Sequence, residues 1–215
     1  MSFEAIQGYL DSIRLRQIIP QLREYETLAA PIRVQLRPFY DEYVSKMSTG
    51  AMAIGFETAV FLTVLCRVYS PQRILDLGSG FSSLIFRLYA VDVASAPSVW
   101  SVDDEQTWLE TTRIFLNSNN LSSDNLVHWQ TFSETKYEAF DLVFHDLGRM
   151  PVRMKTLKDA LNLVREGGLV VLDDIHKHDY RSYAKRVLKE QELNSYNLRA
   201  FTKDQFGRYC LLVIN

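Results

Sequence analysis

Beyond Pro71 the sequence alternates short β-branched or aliphatic runs with amphipathic segments, and this alternation narrows the fold more than any other feature. Parallel strands cannot be joined by a tight turn; they need crossovers of about a dozen residues or more, usually helices. Strand-like runs separated by helical ones therefore predict an α/β chain built on a mostly parallel sheet with helices on both faces. The strand-like runs are Arg73–Leu77, Val99–Val102, Leu126–Gln130, Phe140–His145 and Gly168–Leu172. Between them, Leu84, Ile85 and Leu88, then Trp108, Phe115 and Leu116, then Met154, Leu157, Leu161 and Val164 mark apolar helix faces that pack on the sheet. A helix around Tyr180–Gln191 follows, and then strand-like Tyr196–Thr202 and Arg208–Ile214. The short connection Lys203–Gly207 makes that last pair antiparallel neighbours.

With 215 residues, 47% of them hydrophobic, the chain can fill one core. The division expected is an N-terminal helical extension over 1–50 and an α/β body over 51–215. In the extension, Ile6, Leu10 and Ile13 and then Leu22, Tyr25 and Leu28 recur at helical spacing, and Pro20, Pro31 and Pro38 are expected to break it into short helices. A more apolar helix is expected over Ala51–Tyr69. A formal net charge of -2 supplies no broad basic surface for nucleic acid or anionic lipid. Cys66 and Cys210 lack metal-ligand spacing and sit in apolar runs, so buried thiols in a reducing cytoplasm are expected rather than a disulfide. The first residues do not read as an export signal, and no run approaches the roughly 20 apolar residues of a membrane span.

The segment Asp76-Leu77-Gly78-Ser79-Gly80 directly follows an aliphatic strand and precedes a helix, the place where open α/β sheets bind ligands. Glycines at 78 and 80 let the backbone turn tightly and approach a ligand, and Phe81 follows them. A carboxylate at Asp76 suits a cationic ligand better than a pyrophosphate. The second strand ends in Asp103 and Asp104, and an acid there can accept hydrogen bonds from both hydroxyls of an adenosine ribose. Asp103, the first residue past the apolar run, is the stronger candidate. A dinucleotide enzyme would explain Asp103 equally well, but not Asp76, and it would prefer glycine where Ser83 stands.

These residues resemble the class I S-adenosylmethionine (SAM)-dependent methyltransferases over about Ala51 to the C-terminus. The loop reads ILDLGSGFSS, the second strand VWSVDDEQTW, the fourth FDLVFHD, the fifth GGLVVLDDIH and the last GRYCLLVIN. The resemblance implies a Rossmann-like sheet of seven strands, the last antiparallel. It implies SAM held by Asp76, Gly78, Ser79, Gly80 and Phe81 around its methionine part, with Asp103 and Asp104 at the ribose and Asp146 nearby. It also implies that residues 1–50 serve as a lid or a homodimer contact. Tyr25, Phe39, Tyr40 and Tyr43 would either line an acceptor pocket, with Arg33 and Arg37 pairing acidic groups, or pack the helices onto the sheet, and packing is the preferred reading. The glycines of Met47–Glu57 mark a candidate entry to the site.

Three acids stand at strand ends near the loop: Asp146, Asp173 and Asp174. Oxygen ligands of that kind suit Mg²⁺ or another hard divalent ion. The trio is similar to that of the catechol and caffeoyl-coenzyme A type O-methyltransferases, where an Asp after the fourth strand and an Asp-Asn pair after the fifth hold the metal. Asp174 replaces the asparagine, and Arg149 stands where those enzymes often carry a catalytic lysine. Arginine cannot serve as a base, so Asp146, His145 and His176 are the candidate catalytic groups, with His178 further out in the same loop. The readings to be separated are O-methylation of a small-molecule acceptor with or without a divalent ion, metal-free N-methylation of a small molecule or peptide, a non-catalytic SAM-binding regulator, and a nicotinamide oxidoreductase.

Overall fold

In the computed structural model, which describes residues 3–215, strands form where aliphatic residues fill positions buried between two helical layers. They are β1 (Arg73–Leu77), β2 (Ser98–Asp103), β3 (Leu126–His128), β4 (Phe140–His145), β5 (Val164–Leu172), β6 (Asn194–Asn197) and β7 (Leu211–Ile214). They share one sheet in the order β3-β2-β1-β4-β5-β7-β6. Neighbours from β3 to β5 are parallel. β7 runs antiparallel to both β5 and β6. The chain goes outward from β1 to β3, then returns to lay β4 on the other side of β1. This switch point opens a crevice outside the carboxyl ends of β1 and β4.

The helices are α1 (Phe3–Ile18), α2 (Tyr25–Lys46), α3 (Phe56–Tyr69), α4 (Phe81–Asp92), α5 (Gln106–Ser118), α6 (Trp129–Ser133), α7 (Met150–Asn162), α8 (His178–Glu190) and α9 (Arg199–Thr202). Successive strand residues point to opposite faces, and the two cores divide accordingly. Ile74, Leu142, Phe144, Leu169 and Val171 pack with α2, α3, α4 and α5. Leu75, Leu77, Val143, Val170 and Leu172 pack with α7 and α8. The residues before β1 belong to the first core: Leu15, Tyr25, Ile32 and Tyr43 are continuous with the sheet face. No helix among the described residues is long and apolar enough to cross a membrane.

Several expectations change: Val164, expected on a helix face, opens β5, and the Arg208–Ile214 run is strand only from Leu211. Pro31 and Pro38 lie inside α2 instead of ending helices. Both are exposed, seven residues apart on the outer face, and the carbonyls they leave unpaired belong to Thr27 and Val34, which are exposed as well. Water can satisfy those groups, while Tyr25, Ala29, Ile32, Leu36, Tyr40 and Tyr43 keep the inner face packed. The helix expected from Ala51 starts at Phe56, because the carbonyls of Gly50, Ala51 and Ala53 accept hydrogen bonds from the Arg208 guanidinium at 2.9, 2.9 and 2.8 Å. The Leu126–Gln130 strand ends at His128, and α6 begins with Trp129. Finally, Tyr196–Thr202 divides into β6 and the single turn α9. The Leu198 carbonyl accepts from Phe201 N at 2.8 Å and from Thr202 N at 2.9 Å, which turns Leu198, Phe201 and Thr202 into the core together.

α1 is docked on the edge strand by a buried acid. Asp11 accepts from the backbone N of Asn197 and from Gln7 Nε2, both at 2.9 Å. Asp11→Ala leaves that N–H buried and unpaired, and should lower unfolding free energy by about 1–3 kcal/mol in urea titrations. An unchanged midpoint would show that α1 is not held in this way.

Candidate active site at the carboxyl ends of the strands

β1 delivers the glycine loop between two neighbours that fix it. Gly78 N donates to Val102 O at 2.8 Å, and Asp146 N donates to Leu77 O at 2.6 Å. Gly78 has φ +107°, and a Cβ there would lie 2.5 Å from the Asp146 carbonyl oxygen, so only glycine fits. Ser79 is tied to β2: its N and Oγ donate to Asp103 Oδ2 at 2.8 and 3.0 Å, while Glu105 N donates to Asp103 Oδ1 at 3.0 Å. Burial pushes the Asp103 carboxyl up to about 6. Asp103 is thus occupied in shaping the loop.

Asp104 carries the open oxygen. Its buried Oδ1 has no hydrogen-bond partner, and a Cβ at Gly148, whose φ is +56°, would come within 2.6 Å of it. Asp76, expected to face a cationic ligand directly, lies beneath the loop, with its side chain on the α4 face of the sheet. Its Oδ2 accepts from Ser83 Oγ at 2.5 Å and Ser101 Oγ at 3.0 Å, and Oδ1 has no partner. Burial raises its carboxyl to about 6 against the pull of the surrounding serines and the nearby Arg87. Arg87 braces the same group by donating to Ser101 Oγ at 2.8 Å. Phe81 opens α4 with its ring against Tyr40 and Tyr43, at centroid distances of 5.1 and 5.5 Å.

A cavity of about 430 Å³ runs over this loop, bounded by Tyr43, Ser79, Gly80, Asp103, Asp104, Trp108, Gly148 and Arg149. A second cavity of about 270 Å³ continues from it, between Ala51, Met52, Ala53, Asp173, His176, Phe206 and Arg208. Asp146, Arg153, Asp174 and Lys177 on one side and Ala51, Met52 and Ala53 on the other line both, so the two spaces meet between them. Of the N-terminal aromatics, Tyr43 reaches the first cavity, whereas Tyr25 packs on Phe61 and Phe201. Arg33 pairs with Glu26 and Glu57, and Arg37 lies over the Phe56 ring.

The three acids do not converge on an ion site, and no group among the described residues has the geometry to hold a metal. Arg153 of α7 stands between them. Its Nη2 is 2.5 Å from Asp146 Oδ1, and its Nη1 is 2.8 Å from Asp174 Oδ2. Lys177 Nζ reaches the same Asp174 oxygen at 2.6 Å. Burial alone would raise the Asp174 carboxyl, but Arg153 and Lys177 outweigh it and hold the group below the usual carboxylate range. Asp173 turns away, its Oδ1 accepting from Asp174 N at 2.7 Å and Cys210 Sγ at 3.2 Å. The residues present therefore do not fit the divalent ion considered from sequence.

The histidines separate clearly. His145 shares the face of Val143, so it points under α7 and α8 and away from both cavities. Its Nδ1 and Nε2 are 3.2 Å from Tyr180 Oη and 3.0 Å from Thr156 Oγ1. Burial, reinforced by the charge of Arg153, lowers it to about 3. A neutral imidazole with both nitrogens engaged in the core is not the base. His178 is exposed at the start of α8. His176 lines the second cavity with Nδ1 3.5 Å from Asp174 Oδ1. Sequence reasoning missed Arg153, Trp108 and Arg208. Arg153 left one signal: it occupies the α7 stripe that continues through Thr156, Leu157 and Ala160, where a charge needs buried partners.

Fold and family match together define a Rossmann-like methyltransferase. The chain belongs to the O-methyltransferase family, which matches residues 32–212. Among solved structures, the O-methyltransferase from Bacillus cereus in complex with SAH is 16% identical, with 99% of this chain and 100% of that chain covered at a TM-score of 0.62. The O-methyltransferase TomG from Streptomyces achromogenes, in complex with SAM, is 16% identical over 99% and 98% of the two chains at 0.58. An SAH-bound methyltransferase from Podospora anserina is 14% identical over 84% and 87% at 0.59. At these identities the likeness is one of fold. A comparison with curated proteins finds no match. Family membership selects oxygen-directed methyl transfer from the readings left open by the sequence.

Gly78→Ala tests the loop. The added Cβ must displace the Asp146 backbone and also adopt positive φ, so thermal unfolding should show a loss of about 1–3 kcal/mol. A variant as stable as the parent would mean that the loop is not packed on Asp146.

Proposed function

We propose that this chain methylates a hydroxyl of a small, partly apolar molecule, with SAM in the first cavity and the acceptor in the second. The observation that carries the reading is the junction of the two spaces at Asp146, Arg153 and Asp174. A volume of about 430 Å³ lies within the roughly 300–1,000 Å³ common for ligand sites. Gly78, Ser79 and Gly80 bring bare backbone to its floor, Asp104 Oδ1 offers an acceptor for ribose hydroxyls, and Trp108 adds an aromatic wall. Asp76 and Asp103 act beneath the surface by holding Ser83, Ser101 and Ser79. When bound, SAM supplies a methyl group already activated by its sulfonium.

The protein's work is then to place the acceptor oxygen and take its proton. Met52 and Phe206, both largely exposed, form an apolar mouth to the second cavity. His176, which lines this cavity beside Asp174, is the imidazole placed to take the hydroxyl proton. Asp146 is committed to Arg153 and is not the base. The free, buried thiols Cys66 and Cys210 support a reducing, cytoplasmic setting.

Calorimetry should detect SAM binding, and SAH should accumulate when a panel of phenols and catechols is supplied. His176→Ala should lower kcat by about 10²-fold or more, with SAM affinity retained. An undiminished kcat would remove His176 from the reaction, and absence of SAM binding would overturn the reading as a whole.

A further inference from the structure

We propose that Arg153 is a resident cation that occupies the gap between the loops after β4 and β5, so that the reaction proposed above proceeds without a divalent ion. The inference rests on that reading for its chemistry, but its geometry stands independently. Arg153 is 5% exposed. Besides its ion pairs to Asp146 and Asp174, Nη2 donates to the backbone oxygens of Asp146 at 2.8 Å and Gly148 at 3.0 Å. The guanidinium thus holds the backbone of one loop and the carboxylates of two.

A divalent ion needs oxygens with free lone pairs arranged around one point. Asp174 Oδ2 already receives Arg153 and Lys177, at 2.8 and 2.6 Å, and Asp146 Oδ1 receives Arg153 at 2.5 Å. Asp173 Oδ1 faces the Cys210 thiol and the Asp174 amide. An incoming ion would have to expel a buried guanidinium, and it would place two charges beside Lys177. The charge count makes this expulsion unnecessary as well as difficult: Arg153 and Lys177 together carry the two positive charges that one such ion would bring. Arginine stays protonated across the working pH range and presents fixed donors, so it supplies charge and orientation without proton chemistry. Its Nε is buried and has no hydrogen-bond partner among the described residues, which leaves one donor at the junction unused. Arg153 is therefore a positioning residue: it holds Asp146 and Asp174 apart and sets a positive field where an acceptor oxygen loses its proton to His176.

The test is a Mn²⁺ titration of the whole protein followed by electron paramagnetic resonance, with SAM affinity measured on the same sample. The hexaaqua Mn²⁺ signal should persist undiminished with the parent protein, and EDTA should leave SAH formation unchanged. Arg153→Ser, which leaves the acids without their partner, should quench that signal, with Mn²⁺ affinity at least 10-fold tighter than in the parent. Should Arg153→Ser fail to fold, the titration of the parent still decides. Micromolar Mn²⁺ binding by the parent, or an EDTA-sensitive rate restored by Mn²⁺, would overturn the proposal. Loss of SAM binding without Mn²⁺ binding would instead count against the functional reading and leave the resident cation standing.

Discussion

The ion pairs that Arg153 makes with Asp146 and Asp174 hold together a place where this sheet would otherwise repel itself. Parallel strands bring all their carboxyl ends to one edge, and here β4 and β5, adjacent in the sheet, end in three acids. Half-buried carboxylates so close together are tolerable only with compensating charge. Removing one partner from a buried pair costs about 3–5 kcal/mol, because the other charge is left unpaired. The same guanidinium caps the carbonyls of Asp146 and Gly148. Asp146 in turn presents the backbone on which Gly78 packs, so the glycine loop depends on a residue of α7 that lies far along the chain.

Around that node the site is organised by the two faces of the sheet. Ile74, Leu142 and Phe144 lie in the core with α4, and Leu75, Leu77 and Val143 lie with α7 and α8, the alternation in β4 starting after the irregularity between Phe140 and Leu142. Asp76 therefore meets Ser83 and Arg87 of α4, and His145 meets Thr156 and Tyr180. Residues beyond the last paired position, such as Gly78, Asp104, Asp146 and Asp174, are released from the pleat and line the cavity. Arg208 closes the opposite side, holding Gly50, Ala51 and Ala53 over the acceptor space and pairing with Asp204 at 2.6 Å.

Much of this was legible in the sequence, because the signals are local. Strand runs such as Arg73–Leu77 and Phe140–His145 and the glycines before α4 follow from periodicity and turn chemistry within a few residues. What was not legible depends on distant partners. Pro31 and Pro38 read as breaks because nothing nearby reveals that their side of α2 faces water. Phe201 reads as strand until its pocket against Tyr25 and Phe61 is known. His145 was open to a parity argument, since alternation from Val143 already turns it away from Phe144 and the loop. Asp174, in place of an asparagine, read as a third metal ligand, whereas a full carboxylate is what two cationic partners require.

A crystal structure of the protein grown with SAH and Mn²⁺, with diffraction collected at the manganese edge, tests the central claim most directly. The account predicts SAH over Gly78–Gly80 with its ribose at Asp104, the Arg153 guanidinium between Asp146 and Asp174, and no anomalous peak among the three acids. A manganese peak bounded by Asp146, Asp173 and Asp174, with Arg153 swung out of the gap, would contradict it.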